Sequence, residues 1–259
     1  AFDKTGTLTF GKLEAQDIVS FDPDIDEQGL LALAAAAESK SEHPLGKAIV
    51  NRARDMGLAI AEIEDFRMEA GKGIYAKVDG GELFCGSETY LAENDITITG
   101  AAQKSLERLR KEGKASILVA SRGKCAGVIG LSDILRPTAG EMVKKLSGMD
   151  TATVLLTGDN RMTADYFAKR VGITAVQAEL LPEEKVSSID KLKRDGRIVC
   201  MIGDGIDDAP ALKTADVGVA MGGMGSDIAV EAADIALMGD DISKIPYLKR
   251  LSRSALRTI

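Results

Sequence analysis

The sequence has no hydrophobic run of the roughly 20 residues that a membrane-spanning helix requires, so we predict no span within its 259 residues. Positive charge is not in excess either, because 33 Lys and Arg stand against 40 Asp and Glu and give a formal charge of -7. This balance disfavours nucleic acid or an anionic lipid surface as the main partner. A bound phosphate group would therefore depend on local lysines and backbone N–H groups.

Cysteine and histidine are scarce. Cys85, Cys125 and Cys200 lie far apart without a C-x-x-C pair, so we expect small buried residues in a reducing compartment and not metal ligands. His43 is the single histidine. The fractions of 45% hydrophobic and 28% charged residues argue against disorder. The length allows one large domain or two of ordinary size, and we expect two.

Both ends of the sequence suggest a part of a longer protein. The first residue is not Met, and only Ala1 and Phe2 precede the first candidate functional residue, Asp3. A parallel strand usually has about five residues. Residues 242–259 predict an amphipathic helix that stops without a cap. We therefore expect further protein on both sides.

The segment AFDKTGTLT, residues 1–9, carries the first chemical signal. An apolar stub ends in Asp3, and Lys4, Thr5 and Gly6 form a turn. This pattern places a carboxylate at the C-terminal end of a parallel strand, where its oxygens are free to attack. Glycine permits the tight turn that brings N–H groups toward an anion. The segment therefore predicts a phosphoryl acceptor, although a D-x-T fragment alone is as often a simple turn.

The part of the chain that follows predicts an inserted α+β unit at residues 22–124, reached through an extended connection at 10–21. The Ala- and Leu-rich stretch has high helix propensity, and Asp24 or Asp26 is its candidate N-cap. Asp79-Gly80-Gly81 is a hairpin turn signal. Helices are predicted at residues 26–40, 44–55 and 101–111, and strands at 66–70, 74–78, 82–85, 116–120 and 126–131.

The remainder alternates strictly between strand and helix. Such alternation predicts a Rossmann-like parallel sheet with helices on both faces and an active site at the C-terminal ends of its strands. We assign residues 1–21 and 125–259 to this domain. Strands are predicted at residues 153–156, 175–177, 198–202 and 217–220, and helices at 139–146, 163–171, 183–194 and 210–214.

Three polar motifs follow these strands in order. Residues 157–160 read TGDN, residues 203–208 read GDGIDD, and Lys185 lies on the first turn of a helix begun by Pro182. Singly, each is a common turn, a common loop or a solvated lysine. Jointly, at the ends of alternating strands, they predict one site with Asp3.

The heptapeptide DKTGTLT resembles the phosphorylation motif of the P-type ATPases, within the haloacid-dehalogenase-like superfamily. The resemblance implies that Asp3 accepts the γ-phosphoryl group of ATP while Mg²⁺ is bound at the same site. Phosphatases of this superfamily have a second Asp two positions after the nucleophile, whereas this chain has Thr5, so the aspartyl phosphate should persist. The implied catalytic residues are Asp3, Lys4, Thr5, Thr157, Gly158, Lys185 and Asp208, and the implied magnesium ligands are Asp3, the Thr5 carbonyl and Asp204.

The inserted unit resembles the nucleotide-binding domain of the heavy-metal class of these ATPases. The class hallmark S-E-H-P occurs at residues 41–44, and the class has a Glu five residues before the His. A Gly-Asn pair of the class is Gly-Ser here, which makes the serine a doubtful contact because its hydroxyl cannot replace an amide. The implied nucleotide-binding residues are Glu38, His43, Gly71, Gly73 and Gly86. By residue type alone, His43 is also a candidate capping residue, and Gly71 and Gly73 are also candidate hairpin glycines.

The resemblance implies a cytoplasmic catalytic region of a cation pump. Its partners would be ATP, a transported heavy-metal ion, and actuator and transmembrane domains outside this sequence; the parent protein would lie in a cell membrane. Copper(I) and zinc or cadmium are both open as the ion. Two alternatives are a free-standing phosphatase of the same superfamily with a large cap domain, and a nucleotide-binding regulatory module without chemistry.

One position departs from the family pattern G-D-G-x-N-D. Asp207 stands where the family has Asn. An ionised Asp can only accept hydrogen bonds, whereas Asn can donate one. We therefore expect weaker binding of the phosphoryl group.

Overall fold

The computed structural model describes residues 1–69, 71–223 and 227–258, and the side chains of all of these except residues 206 and 256–258. The chain divides into two compact units. The split unit comprises Ala1–Lys12 and Asp133–Ile259, and the inserted unit comprises Leu13–Ser132.

The elements of both units are numbered here along the chain. The strands are β1 (Thr9–Ser20), β2 (Asp65–Glu69), β3 (Gly73–Val78), β4 (Gly81–Gly86), β5 (Ala115–Ser121), β6 (Lys124–Leu135), β7 (Val154–Leu156), β8 (Ala175–Gln177), β9 (Cys200–Gly203), β10 (Val217–Met221) and β11 (Ile235–Leu237). The helices are α1 (Glu27–Ala37), α2 (Pro44–Asp55), α3 (Glu88–Glu93), α4 (Gly100–Lys111), α5 (Ala139–Ser147), α6 (Arg161–Val171), α7 (Pro182–Arg194), α8 (Ala209–Thr214), α9 (Asp227–Ala232) and α10 (Ile245–Thr258).

A parallel sheet forms the centre of the split unit. Phe2 bridges Leu155 of β7 on one side and Ile202 of β9 on the other, both in parallel. Outside this centre, β8 pairs with β7, β10 with β9, and β11 with β10, all in parallel. The first three residues therefore lie in the middle of the sheet, and Asp3 lies where this central segment ends.

The two faces of this sheet bury different side chains because successive residues of a strand point in opposite directions. Leu155 and Ile202 belong to the core that includes residues of α5 and α6. Leu156 and Met201 belong to the core that includes residues of α7 and α8. Each buried side chain of this size contributes about 1.5–3 kcal/mol relative to an exposed one. The sheet is therefore packed between two layers of helices, and this packing holds in place the edge at which Asp3 lies.

The inserted unit contains a six-stranded sheet in the order β1-β6-β5-β4-β3-β2. From β6 to β2 each neighbouring pair is antiparallel. Helices α1 and α2 pack on one face and α3 and α4 on the other. The hairpin β3–β4 turns at Asp79 and Gly80, whose φ angles of 48° and 72° suit a two-residue turn. Asp26 caps α1 by accepting a hydrogen bond from Gly29 N at 2.7 Å.

The fold class predicted from the sequence is confirmed, and some element bounds differ. Residues 10–21 were expected as a connection, but β1 is a strand of twelve residues. It lies at the end of the sheet order with most side chains partly or fully exposed, so it lacks the hydrophobic alternation that predicts a strand. The unit boundaries consequently fall at 12 and 133 and not at 21 and 125, because β1 and β6 extend the inserted sheet.

Three other elements were not predicted: α3, α9 and β11. All three are short, with six, six and three residues. The predicted strand end at Ala70 and helix end at Ile259 lie outside the described residues. Among the described residues, no helix combines the length and apolar character needed to cross a membrane.

Candidate functional site

The turn after Asp3 requires a glycine. Residues Lys4–Leu8 form a single wide turn in which Thr5 and Gly6 are not helical, and Gly6 has φ 70°. A Cβ atom on Gly6 would lie 1.7 Å from Asp204 Oδ2. Only glycine therefore combines this backbone conformation with the close approach of the carboxylate.

Three carboxylates converge at this edge of the sheet. Asp3 follows the central segment, and Asp204 and Asp208 follow β9. One oxygen of each lies within 4.8 Å of the others. Lys185 Nζ lies 2.7 Å from Asp3 Oδ1 and 2.7 Å from Asp208 Oδ1. Asp3, Lys185 and the GDGIDD segment, which the sequence predicts at one site, thus meet around one lysine.

Helix α7 positions this lysine from its first turn. Pro182 begins the helix, and Glu184 Oε2 accepts a hydrogen bond from Leu181 N at 2.8 Å, which fixes the helix start. Lys185 is buried. Burial acts to lower the pKa of Lys185, but the carboxylates of Asp3 and Asp208 outweigh it and raise that pKa above its usual value. The ammonium group therefore stays charged at neutral pH.

The carboxylates are crowded beyond what one lysine can neutralise. Burial, and next the charge of Asp208, raise the pKa of Asp3 to about 7, although Lys185 opposes this shift. Burial and Asp208 likewise raise the pKa of Asp204 to about 6. Oxygen donors of this kind and spacing fit Mg²⁺, a hard cation that favours carboxylate ligands. A divalent cation would offset both the burial and the repulsion that raise these pKa values.

This crowding predicts a pH-dependent stability in the absence of divalent cations. Both pKa values lie above the unfolded value of about 3.9, so the folded state holds these protons more tightly. The contribution of these two groups to the free energy of unfolding should be fully present below about pH 4 and should be lost as the pH rises through 6 and 7. Urea titrations in EDTA should show the unchanged chain losing stability relative to Asp3→Asn between pH 5 and 8.

Magnesium provides the control for that measurement. At pH 8, Mg²⁺ should restore most of the lost stability of the unchanged chain, and it should do little at pH 5. Parallel stability curves for the two chains, with and without Mg²⁺, would contradict the crowding of the carboxylates.

A second ion pair holds the TGDN motif at residues 157–160 in place. Lys4 is buried, and its Nζ lies 2.8 Å from Asp159 Oδ2 and 5.1 Å from the centre of the Phe167 ring. Thr157 Oγ1 donates to Asp159 Oδ2 at 3.0 Å and accepts from Asp159 N at 3.2 Å. Asp159 thus joins Lys4 to Thr157. The sequence placed it in the TGDN motif without a role.

Two further predicted residues lie at this site with little burial. Thr5 is exposed on the turn after Asp3, and Gly158 is exposed between Thr157 and Asp159. A Cβ atom on Gly158 would lie 3.3 Å from Leu180 O, which is a tight contact. Both backbones therefore border the open side of the site.

The sequence analysis missed Arg136, which follows β6. Arg136 is 6% exposed. Its guanidinium donates to the carbonyl oxygens of Gly6 at 3.0 Å, Thr7 at 2.9 Å, Thr9 at 3.1 Å and Asp240 at 3.1 Å. Backbone acceptors leave no mark in a sequence, so the only available signal was a charged residue after a long apolar strand.

In the inserted unit, Glu38 is held in a buried position after α1. Its side chain is hydrogen-bonded to Ser41, and a Cβ atom on Gly46 would lie 2.3 Å from Glu38 Oε2. Burial raises the pKa of Glu38 above its usual value, and the bond to Ser41 only partly offsets this. Glu38, Ser41 and His43 all belong to the connection between α1 and α2.

His43 is the N-cap of α2. Its Nδ1 accepts a hydrogen bond from Leu45 N at 3.2 Å, ahead of Pro44 at the first helical position. The capping alternative considered for this residue is therefore present in the structure. Because the cap uses Nδ1, Nε2 and the face of the exposed ring remain for a ligand.

The three predicted glycines differ in their surroundings. Gly71 has φ 75° and open space where a Cβ would lie. A Cβ on Gly73 would lie 2.4 Å from Tyr90 Cδ1, and one on Gly86 would lie 2.8 Å from the same atom. Gly73 and Gly86 are opposite each other in the β3–β4 ladder. Packing against Tyr90 thus requires glycine at these two positions, independently of any ligand.

A family model described as haloacid dehalogenase-like hydrolase matches residues 1–216. The chain therefore belongs to the haloacid dehalogenase-like hydrolase family.

Two curated relatives match essentially the full chain. It is 42% identical over 257 residues to the copper-exporting P-type ATPase of Bacillus subtilis (strain 168), covering 99% of this chain and 32% of the relative. It is 38% identical over 263 residues to a probable cadmium-transporting ATPase of Staphylococcus aureus (strain MRSA252), covering 100% of this chain and 36% of the relative. The chain thus spans about a third of the length of these relatives.

Solved structures agree with this relationship. A zinc-transporting PIB-type ATPase in its E2.Pi state matches with a TM-score of 0.89 at 36% identity, over 99% of this chain and 42% of that chain. The catalytic domain of the CPx-ATPase CopB-B matches with a TM-score of 0.68 at 34% identity, over 95% of this chain and 87% of that chain. The predicted family and fold class are confirmed.

Proposed function

We propose that this chain binds ATP and transfers the γ-phosphoryl group to Asp3, as the catalytic region of a heavy-metal transporting P-type ATPase. The observation that carries the proposal is the placement of Lys185 Nζ at 2.7 Å from both Asp3 and Asp208, with Asp204 completing the carboxylate cluster. A lysine paired with the attacking group can pass its charge to the phosphoryl oxygens when they arrive.

The reaction forms a bond between a carboxylate oxygen of Asp3 and the γ-phosphorus of ATP and breaks the bond to the bridging oxygen, which leaves on ADP. Asp3, Asp204 and the carbonyl of Thr5 would hold Mg²⁺, which when bound would neutralise part of the negative charge at the site. Asp3 must be ionised to attack. Lys185 favours that ionised form and then stabilises the transferred group, with the hydroxyl of Thr157 as a further donor.

The lifetime of the aspartyl phosphate follows from residue 5. A second carboxylate at that position would activate water, and Thr5 cannot act as a base at neutral pH. The product is therefore a persistent phosphoenzyme. Persistence suits a transport cycle better than the alternative of a free-standing phosphatase, which requires rapid turnover.

The nucleotide is proposed to bind in the inserted unit. Glu38 and His43 lie five residues apart on the connection between α1 and α2, and Gly71 borders open space. A buried carboxyl group with a raised pKa can exchange hydrogen bonds with an adenine, and the exposed ring of His43 can stack on it. Gly73 and Gly86 keep the backbones of β3 and β4 close to Tyr90, and we propose that this part of the sheet borders the nucleotide.

The transported ion is proposed by kinship. Relatives named for copper and cadmium, and a solved structure named for zinc, all match this chain. In the parent protein we place the chain on the cytoplasmic side of a membrane, beside transmembrane and actuator domains outside this sequence. Kinship therefore proposes a heavy-metal ion as the cargo, with copper, cadmium and zinc as the candidates.

Nucleotide binding should depend on the inserted unit and survive changes at Asp3. Calorimetric titration of ADP should show His43→Ala weakening affinity by about tenfold, the loss of one stacking and hydrogen-bonding side chain worth about 1–2 kcal/mol. Asp3→Asn should bind ADP as the unchanged chain does. Lys47→Ala, an exposed change on the same helix, serves as the matched control.

Equal weakening by His43→Ala and Asp3→Asn, or weakening by the second alone, would contradict the assignment of the nucleotide to the inserted unit. Rapid steady-state release of phosphate by the chain alone would favour the phosphatase alternative.

Asp207 should lower the affinity for a phosphoryl group. It is exposed on the turn Ile206–Asp208. At about 5 Å and an effective dielectric near 20, one charge pair repels by roughly 3 kcal/mol, and exposure to solvent screens part of this. Titration of beryllium fluoride at saturating Mg²⁺ should therefore show a gain of about tenfold in Asp207→Asn. An unchanged affinity would mean that the carboxylate does not face the bound group.

A further inference from the structure

Arg136 holds the turn that begins at Asp3, in a way that neither ATP binding nor the carboxylate cluster explains. Its guanidinium binds the carbonyl groups of Gly6, Thr7 and Thr9. Its backbone N–H binds Leu8 O at 2.9 Å. One residue from outside the turn therefore engages four successive carbonyl groups, beginning three residues after Asp3.

The charge of this side chain acts on nearby carboxylates without forming an ion pair: it opposes the rise in the pKa of Asp204 and helps to lower the pKa of Asp241. Within the part of the chain that the structure describes, no carboxylate oxygen lies within 4.0 Å of the Arg136 guanidinium. The side chain is nonetheless buried, and it lies 4.7 Å from the centre of the Phe10 ring. Burying a charge without an ion pair costs free energy. If the side chain only held the turn in place, neutral hydrogen-bond donors would do so at a lower cost.

The surrounding contacts reinforce the same segment. Thr9 Oγ1 donates to Asp133 Oδ2 at 2.5 Å, and Asp133 Oδ1 accepts from Lys12 N at 3.0 Å. Two residues at the end of β6 thus bind neighbouring stretches of the chain: Asp133 binds β1, and Arg136 binds mainly the turn before it. The fork of five N–H donors explains why arginine and not lysine occupies the position, since an ammonium group cannot reach carbonyls spread over several residues.

The turn sets the geometry of the reaction. It joins Asp3 to the strand β1, and it contains Gly6, which faces Asp204 with no room for a side chain. A displacement of the turn would therefore move the nucleophile and one magnesium ligand relative to each other. Misplacement of reacting groups by about 1 Å can cost about a hundredfold in rate.

We propose that Arg136 is a positioning residue for phosphoryl transfer, which fixes the turn after Asp3 through its carbonyl groups and adds positive charge beside the site. This inference rests on the function proposed above. It assigns to Arg136 an effect on the rate of phosphorylation of Asp3, and none on the binding of nucleotide to the inserted unit.

The test compares Arg136→Lys and Arg136→Ala with the unchanged chain in single-turnover phosphorylation by γ-labelled ATP. Arg136→Lys keeps the charge and should slow labelling by about tenfold, and Arg136→Ala should slow it by about a hundredfold. ADP affinity should stay unchanged in both. Guanidinium chloride below unfolding concentrations should restore part of the rate of Arg136→Ala alone, because the vacated space fits that ion.

A control separates positioning from stability. Leu146→Ala removes a buried side chain from the core of the same unit and should destabilise the chain by about 2–5 kcal/mol, yet label normally wherever it remains folded. The inference is overturned if Arg136→Ala labels at the normal rate, if Leu146→Ala slows labelling as much, or if ADP affinity falls in parallel. Absence of label from the unchanged chain would overturn the proposed function and this inference with it, whereas normal labelling of all variants would overturn the inference alone.

Discussion

Replacing Asp3 by asparagine is expected to abolish phosphorylation of the chain. The amide has no ionised oxygen to attack phosphorus, and removal of a covalent nucleophile can cost about 10⁶-fold in rate. The side chain is nearly isosteric, and Asp208 still pairs with Lys185, so the fold should persist. Labelling with γ-labelled ATP followed by acid precipitation measures the effect.

Asp159→Asn supplies the matched control for that result. Asp159 also pairs with a buried lysine, Lys4, but is not one of the three clustered carboxylates. This variant should retain measurable labelling. Label remaining at the normal level in Asp3→Asn would place the acceptor elsewhere and contradict the account.

Replacing Lys185 by methionine is expected to impair both stability and reaction. The change leaves the buried carboxylates of Asp3 and Asp208 without their common cation. Breaking a buried pair in this way costs about 3–5 kcal/mol. Loss of a preorganised donor to the phosphoryl group costs a further factor of about 10²–10³ in rate. Urea unfolding at pH 7.5 and single-turnover labelling measure the two effects.

Two observations would distinguish this explanation from a general weakening of α7. Lys191→Met changes an exposed lysine on the same helix and should leave both quantities nearly unchanged. The stability lost by Lys185→Met should shrink in acid, where the carboxyl group of Asp3 takes up a proton. Equal losses in the two variants, or a loss independent of pH, would contradict the role assigned to the ion pair.

The carboxylate site could be predicted because its residues occupy fixed places in a regular alternation. Asp3 and Asp204 each follow a strand whose end is visible in the sequence, and Lys185 lies on the first turn of a helix that Pro182 begins. Parallel strands bring such ends to one edge, so order along the chain becomes proximity in space. The confirmed family adds the chemistry, while the roles of the individual residues remain predictions.

Other features could not be read from the sequence because their causes are three-dimensional. Arg136 binds backbone carbonyls, which every sequence contains. Gly73 and Gly86 looked like ligand-approach glycines, yet the ring of Tyr90 fills the space beside both. β1 was assigned to a connection because its largely exposed side chains do not alternate. In each case the deciding contact is made only in the folded chain and leaves no pattern in the sequence.

The most direct test of the central claim is to locate the phosphoryl group after reaction with ATP and Mg²⁺. Borohydride reduction converts an aspartyl phosphate to homoserine, which peptide mass spectrometry identifies at a single position. The account predicts homoserine at position 3, label lost on treatment with hydroxylamine, and slow decay of the phosphoenzyme in buffer. Label on a serine or threonine, or no label while phosphate is released rapidly, would contradict it.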